Sequence, residues 1–128
     1  MFHTKTFEDL LLEAIDDAFF SLGESAKTAI YFHLEKTFAI NKKEIPNHLQ
    51  GFSNALERIF GIGARHIEIQ VMKNLNLKID AQLKKVHPHF LDPDLTFEKY
   101  VSQKKANYNT FVNSSNFEVM TNGKERQK

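Results

Sequence analysis

Apolar residues recur with the 3.6-residue period of an α-helix in four consecutive stretches of this 128-residue chain, between about Thr6 and Ile79. The first stretch is the most regular, with Thr6 as its expected N-cap and Gly23 as its expected left-handed C-cap. Its apolar face comprises Phe7, Leu10, Leu11, Ala14, Ile15, Ala18, Phe19 and Leu22. The period predicts an amphipathic helix that buries this face.

Short connections separate the predicted helices. Ser25 is the expected N-cap of the second helix, so the brief connection after Leu22 requires an antiparallel hairpin. Asn41 and Glu44 have the spacing of a capping box, which predicts a single turn before the third helix. The inner face of the second helix is predicted to carry Ala26, Ala29, Ile30, His33, Leu34 and Thr37.

The fourth predicted helix, from about Ala64 to Ile79, follows a turn bracketed by Gly61 and Gly63. Its apolar residues cover an arc of the helix surface too wide for a single interface. They are Ala64, Ile67, Val71, Leu75 and Ile79, with Ile62, Ile69 and Met72 on an adjoining arc. We therefore expect this helix to be central to the bundle.

A fifth helix is predicted to begin at Pro93 and to carry Phe97, Tyr100 and Val101. From about Asn113 the chain is mostly polar and charged, which favours disorder. The sequence thus predicts an all-α fold: a bundle of four amphipathic core helices with a fifth C-terminal helix. The predicted domain spans residues 1–108, followed by a flexible tail over residues 109–128.

Composition narrows the classes of function. The chain has no cysteine, which excludes a disulfide framework and thiolate chemistry and favours the cytoplasm. The N-terminal residues resemble neither a signal peptide nor a transit peptide, and no apolar run reaches membrane-spanning length. A formal net charge of +1 is far from the basic excess of a typical nucleic-acid-binding domain. We expect neither a cofactor nor catalytic activity.

Several short motifs resemble a small archaeal family, the Nitrosopumilus output domain of the fifth type. The resemblance covers roughly residues 7–79, and its motifs are structural. They are Leu22-Gly23-Glu24-Ser25, Ile30-Tyr31-Phe32-His33-Leu34-Glu35, Glu44-Ile45-Pro46, Ile59-Phe60-Gly61-Ile62-Gly63-Ala64-Arg65, Ile67-Glu68-Ile69 and Met72-Lys73. The resemblance implies an archaeal cytoplasmic protein that acts as a signalling output or interaction module.

Glu68 falls within the apolar arc of the fourth helix, where a carboxylate without a partner is costly. His33 has a similar place on the second helix, so we predict that the two form a buried polar pair. Tyr31 and Arg65 are the alternative partners. Such a pair more often satisfies buried groups or fixes helix register than performs catalysis.

Two binding hypotheses concern the second half of the chain. His87-Pro88-His89, near Asp92 and Asp94, is the best metal candidate, although a proline-containing loop also tolerates these residues. The Gly61 turn between two helices suggests a helix-turn-helix, but the fit is poor because Glu57 or Ile59 would occupy the crowded position before the turn glycine. The alternative function, a DNA-binding transcriptional regulator, depends instead on the basic fourth helix and on the family resemblance. Its candidate nucleic-acid contacts are Arg65, Lys73, Lys78, Lys84 and Lys85.

The polar sides of the first two helices each carry an aromatic residue, Phe20 and Phe32. Together with Ile69 and Met72 they predict an interaction surface, used for self-association such as a homodimer or for a protein partner. The alternative is that the fifth helix covers them through Phe97 and Tyr100. The favoured function is therefore a non-catalytic interaction module, regulatory or signalling, that acts through protein–protein contacts.

Overall fold

The computed structural model describes residues 5–84 and 95–126, with side chains described as far as residue 113. It contains five α-helices and two 3₁₀ segments in these ranges, which confirms the predicted all-α class. The helices are α1 (Phe7–Phe20), α2 (Glu24–Phe38), α3 (Leu49–Phe60), α4 (Ala64–Leu83) and α5 (Phe97–Arg126). A 3₁₀ segment spans Lys42–Asn47, and a 3₁₀ turn spans Gly61–Gly63. No helix in the described ranges is long and apolar enough to cross a membrane.

The N-terminus of α1 is capped as predicted. The Thr6 hydroxyl accepts a hydrogen bond from the Asp9 backbone N–H, and the Asp9 carboxylate accepts one from the Thr6 N–H. The predicted C-cap is wrong, because α1 ends at Phe20 and Gly23 instead precedes α2 as its N-cap. Gly23 has a φ of 111°, a conformation that only glycine adopts easily, so it reverses the chain between the two helices.

The centre of the bundle is the packing of α1 against α4, the most extensive contact between two helices. Helix α1 also contacts α2 and α5, while α4 also contacts α3 and α5. The central position predicted for α4 is therefore shared with α1. Seven residues of α1 are buried: Phe7, Leu10, Leu11, Ala14, Ile15, Ala18 and Phe19.

Helix α2 is attached to the bundle by a narrow inner face, on which only Ile30 and Leu34 are buried. Ala29, His33 and Thr37 are exposed, so their assignment to the inner face was wrong. The helix is rotated because polar groups of α1 draw its other flank inward: Lys27 and Tyr31 both bind Asp16 of α1. Side-chain hydrogen bonds thus set the rotation that apolar periodicity alone left open.

Helix α5 starts at Phe97, after Thr96 accepts a hydrogen bond from the Lys99 N–H. The predicted start at Pro93 lies outside the described residues. The helix continues to Arg126, so the predicted boundary between domain and tail after residue 108 does not coincide with the end of the helix.

Both apolar and polar contacts hold α5 on the bundle. The Phe97 ring packs against Phe52 of α3 at a centroid distance of 6.0 Å. Further along, the Tyr108 ring packs against Phe7 at 6.2 Å, and its hydroxyl donates a 2.7 Å hydrogen bond to the Lys5 carbonyl. Helix α5 therefore covers the end of the bundle at which α1 begins.

Candidate interaction surface

The outer side of α2 forms a shallow depression of about 540 Å³. Its lining residues, which we call the α2 outer surface, are Glu24, Ser25, Thr28, Ala29, Phe32 and His33. Ser25, Thr28, Ala29 and Phe32 follow the i, i+3, i+4, i+7 spacing, which places them on one helical face. Because three of these four side chains are small, the Phe32 ring projects beyond its neighbours.

Phe32 is 57% exposed and lies on the opposite side of α2 from the buried Ile30 and Leu34. Its described aromatic neighbour is His33, whose ring lies edge-on at a centroid distance of 5.9 Å. The alternative in which α5 covers this surface is wrong, because Phe97 packs on Phe52 and Tyr100 bonds Asn76. The surface is therefore open within the described part of the chain.

The other predicted members of this surface do not all belong to it. Phe20 is 58% exposed, but its ring is covered on one side by the Lys27 ammonium at 5.8 Å, from the flank of α2 that faces α1. Ile69 is half-buried against the core, and Met72 is buried within it. The inclusion of Met72 was wrong, because the wide apolar arc of α4 is used for packing against α1 and its neighbours.

Glu68 is buried as predicted, with 6% of its surface exposed, but His33 is not its partner. The Ser53 hydroxyl of α3 donates a hydrogen bond to Oε2 of Glu68, and the Arg65 guanidinium lies 3.7 Å from Oε1. Arg65 was one of the predicted alternatives, whereas Ser53 was missed. The predicted pairing with His33 was wrong because His33 points away from the bundle.

The Glu68 carboxylate also borders a surface depression of about 450 Å³ next to the Gly61 turn. Glu57, Ile62 and Arg65 share this depression, and Ile62 is almost completely exposed. Since both Oε atoms of Glu68 already have partners, the arrangement joins α3 to α4. It fits a structural role better than proton transfer.

Asp16 joins three elements of the fold. Its carboxylate accepts hydrogen bonds from the Tyr31 hydroxyl at 2.7 Å and from Lys27 at 3.3 Å, and it pairs with Lys42 at 2.9 Å. Burial raises the pKa of the Asp16 carboxyl, but the hydrogen bonds from Tyr31, Lys42 and Lys27 outweigh it and lower the pKa overall. Burial and the same bond raise the pKa of Tyr31 well above its usual value.

The other carboxylates of α1 are also bound within the chain. The Glu8–Lys105 pair at 2.7 Å lowers the pKa of Glu8 chiefly through its hydrogen bond, and the Asp17–Lys78 pair at 2.8 Å raises the pKa of Lys78. Glu13 binds Lys5 at 2.8 Å and Lys78 at 3.6 Å. Four of the five carboxylates of α1, all except Asp9, are thus paired with cations from outside the helix.

The five predicted nucleic-acid contacts differ in whether they are already paired with carboxylates of the same chain. Arg65 is paired with Glu68 and Lys78 with two carboxylates of α1, so neither is a free cation. Lys85 lies outside the described residues. Lys73 and Lys84 are exposed and have no ion pair among the residues that the structure describes. Two isolated lysines give a weak electrostatic footprint for a duplex.

The predicted metal loop, His87-Pro88-His89 with Asp92 and Asp94, lies outside the described residues. Within the described ranges, no cluster of three or more histidine or acidic side chains is arranged to hold a metal ion.

The outer side of α4 is a second exposed face. Leu77 is 69% exposed, and Lys73, Ala81 and Lys84 are exposed beside it. We call these four residues the α4 outer surface. Helices α2 and α4 make no contact with each other in the described structure.

The fold is a small all-α bundle with an exposed face on α2 and a second exposed face on α4. The chain matches no protein-family model, no curated protein and no solved structure. The resemblance to the Nitrosopumilus output domain therefore stays a prediction.

Proposed function

We propose that this chain is a protein-interaction module that binds its partner through the α2 outer surface. The observation that carries the proposal is Phe32, a phenylalanine placed directly opposite the buried face of its helix and 57% exposed. Full burial of an exposed phenylalanine side chain contributes about 1.5–3 kcal/mol, and Phe32 can gain the part of this that corresponds to its exposed surface. Aromatic anchors of this kind are enriched among the residues that dominate binding energy.

A single exposed apolar residue is common on protein surfaces and does not by itself indicate a binding site. The neighbours of Phe32 distinguish it from such a residue. The small Ser25, Thr28 and Ala29 next to it leave a depression that a partner side chain can fill. Helix α2 has only two buried residues, and Lys27 and Tyr31 bind it to Asp16 of α1 through hydrogen bonds. Since the core buries only two side chains of α2, the outer side of the helix is available to a partner.

The resemblance to an output domain supports a regulatory or signalling role for the module, and the absence of cysteine is compatible with a cytoplasmic location. DNA binding receives less support, since Arg65 and Lys78 are already engaged by carboxylates of the same chain. We therefore propose protein binding as the function.

A photo-crosslinking experiment tests this proposal. The full chain carries p-benzoylphenylalanine in place of Phe32, or in place of the exposed Gln103 of α5 as a control, and is irradiated in extract of its native cells. We expect a discrete adduct from position 32 that is absent from position 103. A second substitution, Ala29→Arg, fills the depression and should abolish the adduct, whereas Gln103→Arg should not. Equal labelling from both positions would refute the proposal.

A further inference from the structure

Exposed carboxylates beside Phe32 and exposed lysines beside Leu77 recur at matching intervals along α2 and α4. Beside Phe32, the exposed carboxylates Glu24 and Glu35 are eleven residues apart (35 − 24), and they have no ion pair in the described structure. On α4, the exposed Lys73 and Lys84 are likewise eleven residues apart (84 − 73). Eleven residues make three helical turns, or about 16 Å, so each pair of charges lies along one side of its helix.

An antiparallel arrangement of α2 and α4 brings both pairs together. When Glu24 of one copy stands opposite Lys84 of another, Glu35 stands opposite Lys73. In the same register, Phe32 stands opposite position 76, one residue from Leu77, which is 69% exposed. Two ion pairs and one apolar contact therefore share a single register, within one residue or about 1.5 Å along the axis.

The sides on which these charges lie also agree. At about 100° per residue, both glutamates fall on the same flank of Phe32, and both lysines fall on the corresponding flank of Leu77. Antiparallel helices packed face to face bring corresponding flanks together. A parallel arrangement would place the glutamates and the lysines on opposite sides of the contact.

A single copy does not make this contact, because α2 and α4 both pack on α1 but do not contact each other within the described structure. We propose that the occupant of the α2 outer surface is the α4 outer surface of a second copy of this chain. This inference rests on the proposed function, since it names the partner for the same surface. Each copy retains one free surface of each kind, so the association is head-to-tail and yields rings or filaments instead of a two-fold dimer.

Charge reversal tests the proposal on the full chain by sedimentation velocity at low ionic strength, where exposed charges are least screened. The wild type should show an average mass that rises with concentration. Each double variant, Glu24→Lys/Glu35→Lys and Lys73→Glu/Lys84→Glu, should weaken association about tenfold or more. An equimolar mixture of the two variants should assemble again, because the reversed α2 surface of one complements the reversed α4 surface of the other.

Further variants complete the test. Phe32→Ser should lower association, while Glu57→Lys/Lys99→Glu changes exposed charges elsewhere and should leave it unchanged. Circular dichroism checks that every variant is folded. A wild type that stays monomeric at all concentrations, or a mixture that does not assemble, overturns the head-to-tail contact. If position 32 still crosslinks specifically in that case, the α2 outer surface binds another protein and the proposed function stands.

Discussion

The Tyr31 hydroxyl donates a 2.7 Å hydrogen bond to Oδ1 of Asp16, across the interface between α2 and α1. This contact matters because α2 has only two buried residues and needs polar ties to keep its position. The Tyr31 ring also packs edge-on against Phe19 at 5.2 Å, and the Lys42 ammonium lies 5.0 Å from its centre. Tyr31 thus holds together α1, α2 and the 3₁₀ segment.

The first prediction concerns stability at neutral pH. Tyr31→Phe keeps the ring contacts and removes the hydroxyl, so the free energy of unfolding should fall by about 1 kcal/mol, the usual net value of one hydrogen bond. Urea denaturation measures the change. Asp16→Ala should cost more, because it removes the shared partner of Tyr31, Lys27 and Lys42. Glu57→Gln, at an exposed position, serves as the control and should be nearly neutral.

The second prediction concerns the stability of the protein at acidic pH. The pKa of Asp16 is lower in the folded protein than its ordinary value of about 3.9, so its ionised form stabilises the fold above that pH. This contribution is lost as the pH falls through the lowered pKa. In Tyr31→Phe the pKa of Asp16 should rise towards its ordinary value, which carboxyl NMR titration detects. Tyr108→Phe, whose hydroxyl binds Lys5 instead, should leave the titration of Asp16 unchanged.

The third prediction separates the partners of Glu68. Ser53→Ala leaves a buried carboxylate with one hydrogen bond fewer, which should destabilise the protein by about 1–3 kcal/mol in thermal or urea unfolding. His33→Ala should change the free energy of unfolding by less than about 0.5 kcal/mol, since His33 is exposed and does not bind Glu68. Ser102→Ala is the matched control for loss of a serine hydroxyl at an exposed site. A large effect of His33→Ala would contradict the assignment of Ser53.

The fourth prediction concerns the contact between α4 and α5. Asn76 Nδ2 donates a 2.7 Å hydrogen bond to the Tyr100 hydroxyl, while Asn76 Oδ1 is buried without a partner among the described residues. Tyr100→Phe leaves the whole buried amide unsatisfied and should cost about 1–3 kcal/mol. Adding Asn76→Leu should recover most of that loss, because a matched apolar pair has no unsatisfied group. A double variant as unstable as Tyr100→Phe alone would show that the amide has another role.

Much of the fold follows from apolar periodicity. The spacing from Phe7 to Phe19 identified α1 and its buried face, because a regular helix with one apolar stripe has few alternative placements. The face of α2 was predicted less well. Its rotation depends on hydrogen bonds from Lys27 and Tyr31 to Asp16, and the relative position of two helices is not encoded in the spacing within either one.

In the candidate site, too, features that depend on one helix could be predicted, and features that depend on two helices could not. The burial of Glu68 and the exposure of Phe32 could be predicted, because each depends on the position of one residue on one helix. The Ser53 partner of Glu68 could not, since it requires the register between α3 and α4. Lys78 was assigned to nucleic acid for the same reason: its carboxylate partners lie on α1, about sixty residues earlier in the chain (78 − 17 = 61).

The bond between Tyr108 and the Lys5 carbonyl has a consequence for how the protein acquires its structure during synthesis. A ribosome completes α1 to α4 well before residue 108 emerges, so Phe7 and Phe52 lack their α5 neighbours while translation continues. Contacts between residues so distant in sequence form late, after the more local helix pairs. The nascent bundle therefore presents an apolar patch at its α5-binding side until α5 has emerged and packs on Phe7 and Phe52.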